Sequence, residues 1–146
     1  YMSGADEGII EVLNRPLSNT YIPYIYVQNQ NKDYIHLPQI SEQFVNYVIE
    51  QKHLNVSSEN AVFIGFTQMN KFKIHIASDE IDDQNIIYFD SNGNLSDVPI
   101  AHGGFIILNM PQGIQEIILQ DQETDRTSSQ VLYVKPGANY LSHFTY

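Results

Sequence analysis

Cysteine and tryptophan are both missing from this chain of 146 residues. Without cysteine no disulfide can staple the fold and no thiolate zinc site can form. Basic side chains are scarce, 7 against 17 acidic, for a net charge of −10 at neutral pH. A surface of that sign repels nucleic-acid phosphates, so we expect no nucleic-acid partner. No apolar run approaches the roughly 20 residues of a membrane-spanning helix. Neither G-x-G-x-x-G nor a P-loop occurs, which removes the commonest nucleotide-binding routes.

Isoleucine, by contrast, is abundant, with 19 copies, and Val, Tyr, Phe and Thr add 31 residues that suit a pleated, half-buried surface. Polarity comes less from charge than from amides, 13 Asn and 12 Gln. A length of 146 residues suits one domain, with residues 1–60 packed on a core formed by 61–146. The missing cysteines and the acidic, amide-rich balance point to an exported protein of the periplasm, cell surface or medium. The chain opens at Tyr1 without an initiator Met, and Tyr140 to Tyr146 still reads as strand, so we expect neighbouring domains in the full chain.

Strand signals recur along most of the sequence. Ile9 to Leu13 is a short apolar stretch, and Tyr21 to Gln28 alternates around Pro23, which suits an edge or a bulge. Lys71 to Ile76 alternates strictly, predicting Phe72, Ile74 and Ile76 inward with Lys71, Lys73 and His75 outward. Further strands are expected at Ala61 to Phe66, Ile86 to Phe89, Phe105 to Leu108, Ile114 to Leu119, Val131 to Val134 and Tyr140 to Tyr146. Asn92-Gly93, Gly103-Gly104, Pro111-Gln112-Gly113 and Pro136-Gly137 supply turns between them. One segment differs: Ile40, Phe44, Val45, Val48 and Ile49 recur at helical spacing, with Ser41 placed to cap. The pattern predicts a helix over Ser41 to His53, packed on a sheet. We therefore expect a mainly β chain, a two-layer antiparallel β-sandwich with one amphipathic helix.

The motifs that carry chemistry are few. His102-Gly103-Gly104 has the look of an oxyanion-hole loop, but the G-x-S-x-G elbow that would supply a nucleophile is missing. Ser142 and His143 are neighbours on a strand and point to opposite faces. The five histidines lack the close spacing of a zinc site. No catalytic residue is assigned, and a small hydrolase ranks third among the functions. Tyr24, Tyr26, Tyr34, Tyr140 and Tyr146 form the candidate ligand surface, because tyrosine rings on a strand face can stack on sugars. Asp90, Asn92, Asn94 and Asp97 place oxygen ligands at alternate positions around Gly93, as part of a calcium loop does. The bidentate Glu such a loop needs at its twelfth position is replaced by Ala101, and a tight turn on Asn92-Gly93 accounts for the same residues. The turn is the preferred reading, with no cofactor, and calcium the alternative.

The run Asp90-Ser91-Asn92-Gly93, followed by Gly104-Phe105-Ile106-Ile107-Leu108-Asn109-Met110-Pro111-Gln112-Gly113, resembles the carboxypeptidase-regulatory-like, transthyretin-like modules of bacterial exported proteins. It is similar to that family's D-x-x-G turn, G-x-F strand and N-x-P-x-G turn. Ile114 and Gln115 stand where the family carries an aromatic, and the likeness covers residues 61–146 alone. The resemblance implies an Ig-like, seven-stranded sandwich serving as a spacer or binding module, with no catalytic residue carried over. The function expected is a non-enzymatic accessory or binding module, acting in adhesion, envelope assembly or domain positioning. Its partner would be a protein or a glycan at the cell envelope, a glycan-binding module using the tyrosine faces being the alternative.

Overall fold

The computed structural model describes residues 9–12, 22, 24–27, 40–77 and 81–144. The strands are β1 (Ile9–Val12), β2 (Tyr24–Val27), β3 (Ala61–Thr67), β4 (Phe72–Ile76), β5 (Ile86–Phe89), β6 (Leu95–Ser96), β7 (Gly104–Met110), β8 (Gly113–Asp121), β9 (Thr127–Val134) and β10 (Asn139–Phe144). Among the described residues a single α-helix, α1 (Glu42–Lys52), precedes β3. Seven strands form one sheet in the order β1-β2-β10-β3-β7-β5-β6, and β4-β8-β9 form a second. The chain is thus mainly β, a sandwich of two sheets with one helix. No helix among the described residues is long and apolar enough to cross a membrane.

The large sheet is buried on both faces at its centre, which explains the unbroken apolar run of β7. Phe105 and Ile107 face the small sheet, with Phe63, Phe72, Ile117, Leu119 and Phe144. Ile106 and Leu108 face the opposite way, with Ile64, Ile87 and Leu141. Strands covered on both sides lose the polar alternation of a half-exposed sheet. β4 keeps its alternation because it is covered on one side: Phe72 is buried, Ile74 and Ile76 are half-buried, and Lys71, Lys73 and His75 are exposed.

Helix α1 covers the second face of the large sheet, so the sandwich carries a third layer there. Val45 and Val48 are buried against Tyr24, Tyr26, Ile64 and Leu141, with Ile40 beside them. Each such aliphatic side chain contributes about 1.5–3 kcal/mol on burial. Ser41 stands at the N-cap position without a side-chain capping bond, and His53 ends the helix in the left-handed region at φ 52°. Lys52 in the last turn ion-pairs with Asp97, tying the helix to the loop after β6.

Two features depart from the sequence expectation. β10 runs parallel to both of its neighbours, β2 and β3, while every other pairing among the described residues is antiparallel. Period-2 patterning reports which face a residue takes and says nothing of strand direction. In addition, β9 begins at Thr127, where the polar Thr-Ser-Ser-Gln stretch reads as loop. Pairing with β8 from Gln120↔Thr127 to Gly113↔Val134 holds it extended.

β7 also carries a bulge. Met110 pairs with Ala61 and Ile107 with Phe63, so three steps on β7 match two on β3. Asn109 absorbs the extra residue at φ 60°, and its side chain is put to use. Its Nδ2 donates to the Asn55 carbonyl at 2.7 Å and its Oδ1 accepts the Ser57 N–H at 2.8 Å. This amide helps to fasten the segment from α1 into β3 to the sheet, together with the Gln112 Nε2, which donates to the Glu59 carbonyl.

Candidate functional site

A cavity of about 270 Å³ opens between the start of α1, the ends of β3 and β5, and the loop that enters β7. Ile64 and Phe66 reach it from the helix-facing side of β3, Phe89 from the last position of β5, and Phe44 from the first turn of α1. Phe89 is the hub of the floor. Phe44 meets it edge-on with ring centroids 5.3 Å apart, and Phe66 does the same at 5.7 Å. Behind Phe66 the His143 ring stacks at 5.5 Å, with its Nδ1 3.0 Å from the Tyr26 hydroxyl.

The wall opposite α1 exists because of a glycine. A β-carbon on Gly103 would stand 2.2 Å from the carbonyl oxygen of Phe89, so only glycine lets this loop lie against β5. The Gly103 carbonyl accepts the Thr67 N–H, and the His102 N–H donates to the Met69 carbonyl, both at 3.2 Å. These bonds hold His102 at φ 56° with its ring exposed. Gly103 and Gly104 therefore serve as a close-packed strand entry. A β-carbon on Gly104 would meet the Gly65 carbonyl at 2.5 Å.

Polar groups gather at the rim. Ser41, Ser91 and His102 line the cavity, and their side chains make no hydrogen bond among the described residues. Asp90 differs, because its carboxylate closes the β5–β6 turn. Oδ1 accepts the N–H groups of Asn92 and Asn94 at 2.8 and 2.9 Å, and Oδ2 accepts the Asn94 side-chain amide at 2.9 Å. Those bonds, the Asn94 amide first, hold its carboxyl below the ordinary value of 3.8. An acid so depressed is a poor proton acceptor near neutral pH. The site thus offers an apolar floor and unpaired rim donors, the chemistry of a pocket that binds.

The sequence-level candidates are distributed differently. Tyr24, Tyr26 and Tyr140 are buried, at 3%, 6% and 3% exposure, so none presents a ring face to a sugar. Their rings pack in the two cores, and the hydroxyls of Tyr26 and Tyr140 find partners there. Tyr140 accepts the Lys135 N–H at 2.9 Å and donates to the Tyr133 carbonyl. Tyr34 and Tyr146 lie outside the described residues. Of the four calcium candidates, Asp90 is occupied by turn N–H groups, Asn94 points its amide at Asp90, and Asp97 pairs with Lys52. Gly93 supplies the turn at φ 83°. Among the described residues no three of His, Asp and Glu gather as metal ligands.

Phe44, Phe66, Phe89 and His102 escaped the sequence reading as a group. Each comes from a different segment and each fits the local pattern of a core residue, so no spacing in the chain joins them. The one available signal was the His-Gly-Gly triplet, which marks the wall of the pocket. Set against known protein families, characterised proteins and solved structures, the chain matches none.

Proposed function

We propose that this domain is a non-enzymatic binding module whose pocket receives a small apolar group, an aromatic ring or branched aliphatic side chain of a partner protein. The observation that carries the reading is the Phe44–Phe66–Phe89 floor, open to solvent and rimmed by Ser41, Ser91 and His102. Pockets of this make-up take their affinity from the floor and their orientation from the rim. A role as an accessory module of an exported bacterial protein draws support from the missing cysteines and the amide-rich, acidic surface. The transthyretin-like resemblance implies function residing in loops, and the turn after β5 supplies Ser91 to the pocket rim. Burial of Tyr24, Tyr26 and Tyr140 takes those three rings out of the glycan surface that the alternative calls for.

The test is a fragment panel followed by NMR. Phenol, indole and isobutyl compounds should shift resonances of Phe44, Phe66 and His102, with weak affinity of roughly millimolar order. Ser91→Trp, which fills the mouth from an exposed position, should abolish those shifts while leaving the rest of the spectrum in place. Fragments that perturb none of these residues, or bind equally well to Ser91→Trp, overturn the reading.

A further inference from the structure

β9 is an edge strand of the small sheet, pairing only with β8 among the described residues. Its residues alternate strictly. Ser128, Gln130, Leu132 and Val134 are buried, while Thr127, Ser129, Val131 and Tyr133 are exposed. The backbone polarity follows the same parity. The Asp121 N–H donates to the Arg126 carbonyl, continuing the register that pairs 119 with 128, so even-numbered residues of β9 bond to β8. The Tyr133 carbonyl and Lys135 N–H turn the other way, to the Tyr140 hydroxyl. Thr127, Ser129 and Val131 therefore point both backbone groups, and Tyr133 its N–H, at the open edge.

Natural edges are blunted by proline, charge or bulges. β9 has none of these: Thr-Ser-Ser-Gln-Val-Leu-Tyr-Val is uncharged throughout, in a chain of net charge −10. Its solvent face adds apolar area. Val131 and Tyr133 are 60% and 68% exposed, and Ile114, 76% exposed, sits directly across from Tyr133. On the inner face, the buried Gln130 side chain has no partner for its Nε2.

We propose that a second copy of this chain occupies that edge, the two β9 strands pairing antiparallel about a twofold axis at Gln130. This register sets Ser129 opposite Val131 of the other copy and forms about six backbone hydrogen bonds, joining the two small sheets into one. It places Gln130 opposite its own counterpart on the axis. It also sets Lys135 opposite Asp125, an opposite-charge pair that occurs twice by symmetry. No carboxylate lies on either edge strand to oppose the approach.

Sedimentation equilibrium across about 1 µM to 1 mM tests the pairing, for a dimer of roughly 10–100 µM dissociation constant. Val131→Lys and Val131→Glu are surface changes on the exposed face, and circular dichroism should show both folded. Each alone sets like charges diagonally across the axis and should weaken the dimer at least about tenfold. Mixed in equal amounts, the two should recover a heterodimer near wild-type affinity. A wild type that stays monomeric throughout, a Val131→Lys protein that dimerises as well as wild type, or a mixture that stays monomeric overturns the proposal.

Discussion

The ring of Phe105 lies over Gly65 on the neighbouring strand, so close that a β-carbon at position 65 would stand 2.2 Å from its Cζ. The two residues are register partners in β7 and β3, and the ring continues into Phe63 and Phe144, 6.1 and 5.7 Å away. Gly65→Ala should therefore destabilise the fold by about 1–3 kcal/mol in denaturant titrations, the cost of overpacking. In a Phe105→Ala background the same change should cost little. A double-mutant cycle that shows the two effects simply adding would contradict this packing.

Tyr24 gives the protein an alkaline weakness. Burial first, and the neighbouring Tyr26 second, push its hydroxyl from 10.0 up to about 12. The folded state therefore holds this proton after the unfolded chain has released it. Stability is full below pH 10 and is lost as pH rises toward 12. Tyr24→Phe should flatten that alkaline limb, measured by melting temperature against pH with tyrosinate absorbance followed in parallel.

Asp90 acts at the other end of the scale. Its depressed carboxyl contributes stability above the unfolded value near 3.8, and the contribution is lost as pH falls through the lower folded value. Asp90→Asn should leave an acid limb shallower than wild type, the two proteins converging at the lowest pH. Parallel limbs would show that the turn bonds do not depend on the charge.

Calcium should leave the melting temperature of wild type unchanged, because the Asp90 oxygens already hold three N–H groups and Asp97 is paired with Lys52. A rise with calcium that chelator reverses, and that Asp90→Asn removes, would establish the metal loop instead.

Asn109 separates conformation from bonding. Asn109→Gly keeps the left-handed backbone and loses the bonds to Asn55 and Ser57, whereas Asn109→Ala loses both. Alanine should cost about 1 kcal/mol more than glycine. Hydrogen exchange should quicken at the Ser57 amide in both variants.

What the sequence disclosed, and what it withheld, follow from the range of the interactions. The stripe Ile40-Phe44-Val45-Val48-Ile49 and the alternation of Lys71 to Ile76 are local, and both are found as read. The two-residue strand β6 and the polar first half of β9 owe their conformation to partners, Tyr88 and Phe89 in one case and β8 in the other. The tyrosines of β2 alternate in a way that fits a solvent face as well as a helix-covered one, and only α1 decides between them. The pocket is the extreme case, since its three phenylalanines meet from three segments with no shared period.

The parallel placement of β10 bears on how the chain is made. Residues 139–144 are the last to leave the ribosome among those described, yet they form the strand between β2 and β3. Until they emerge, β1 with β2 and the β3-β7-β5-β6 group share no strand boundary, and two edges that the finished sheet conceals stay open. The nascent chain therefore carries an incomplete sheet until β10 emerges, and closure comes with its insertion between β2 and β3. Such an interval of exposed edges is where chaperone capture and misassembly compete with folding.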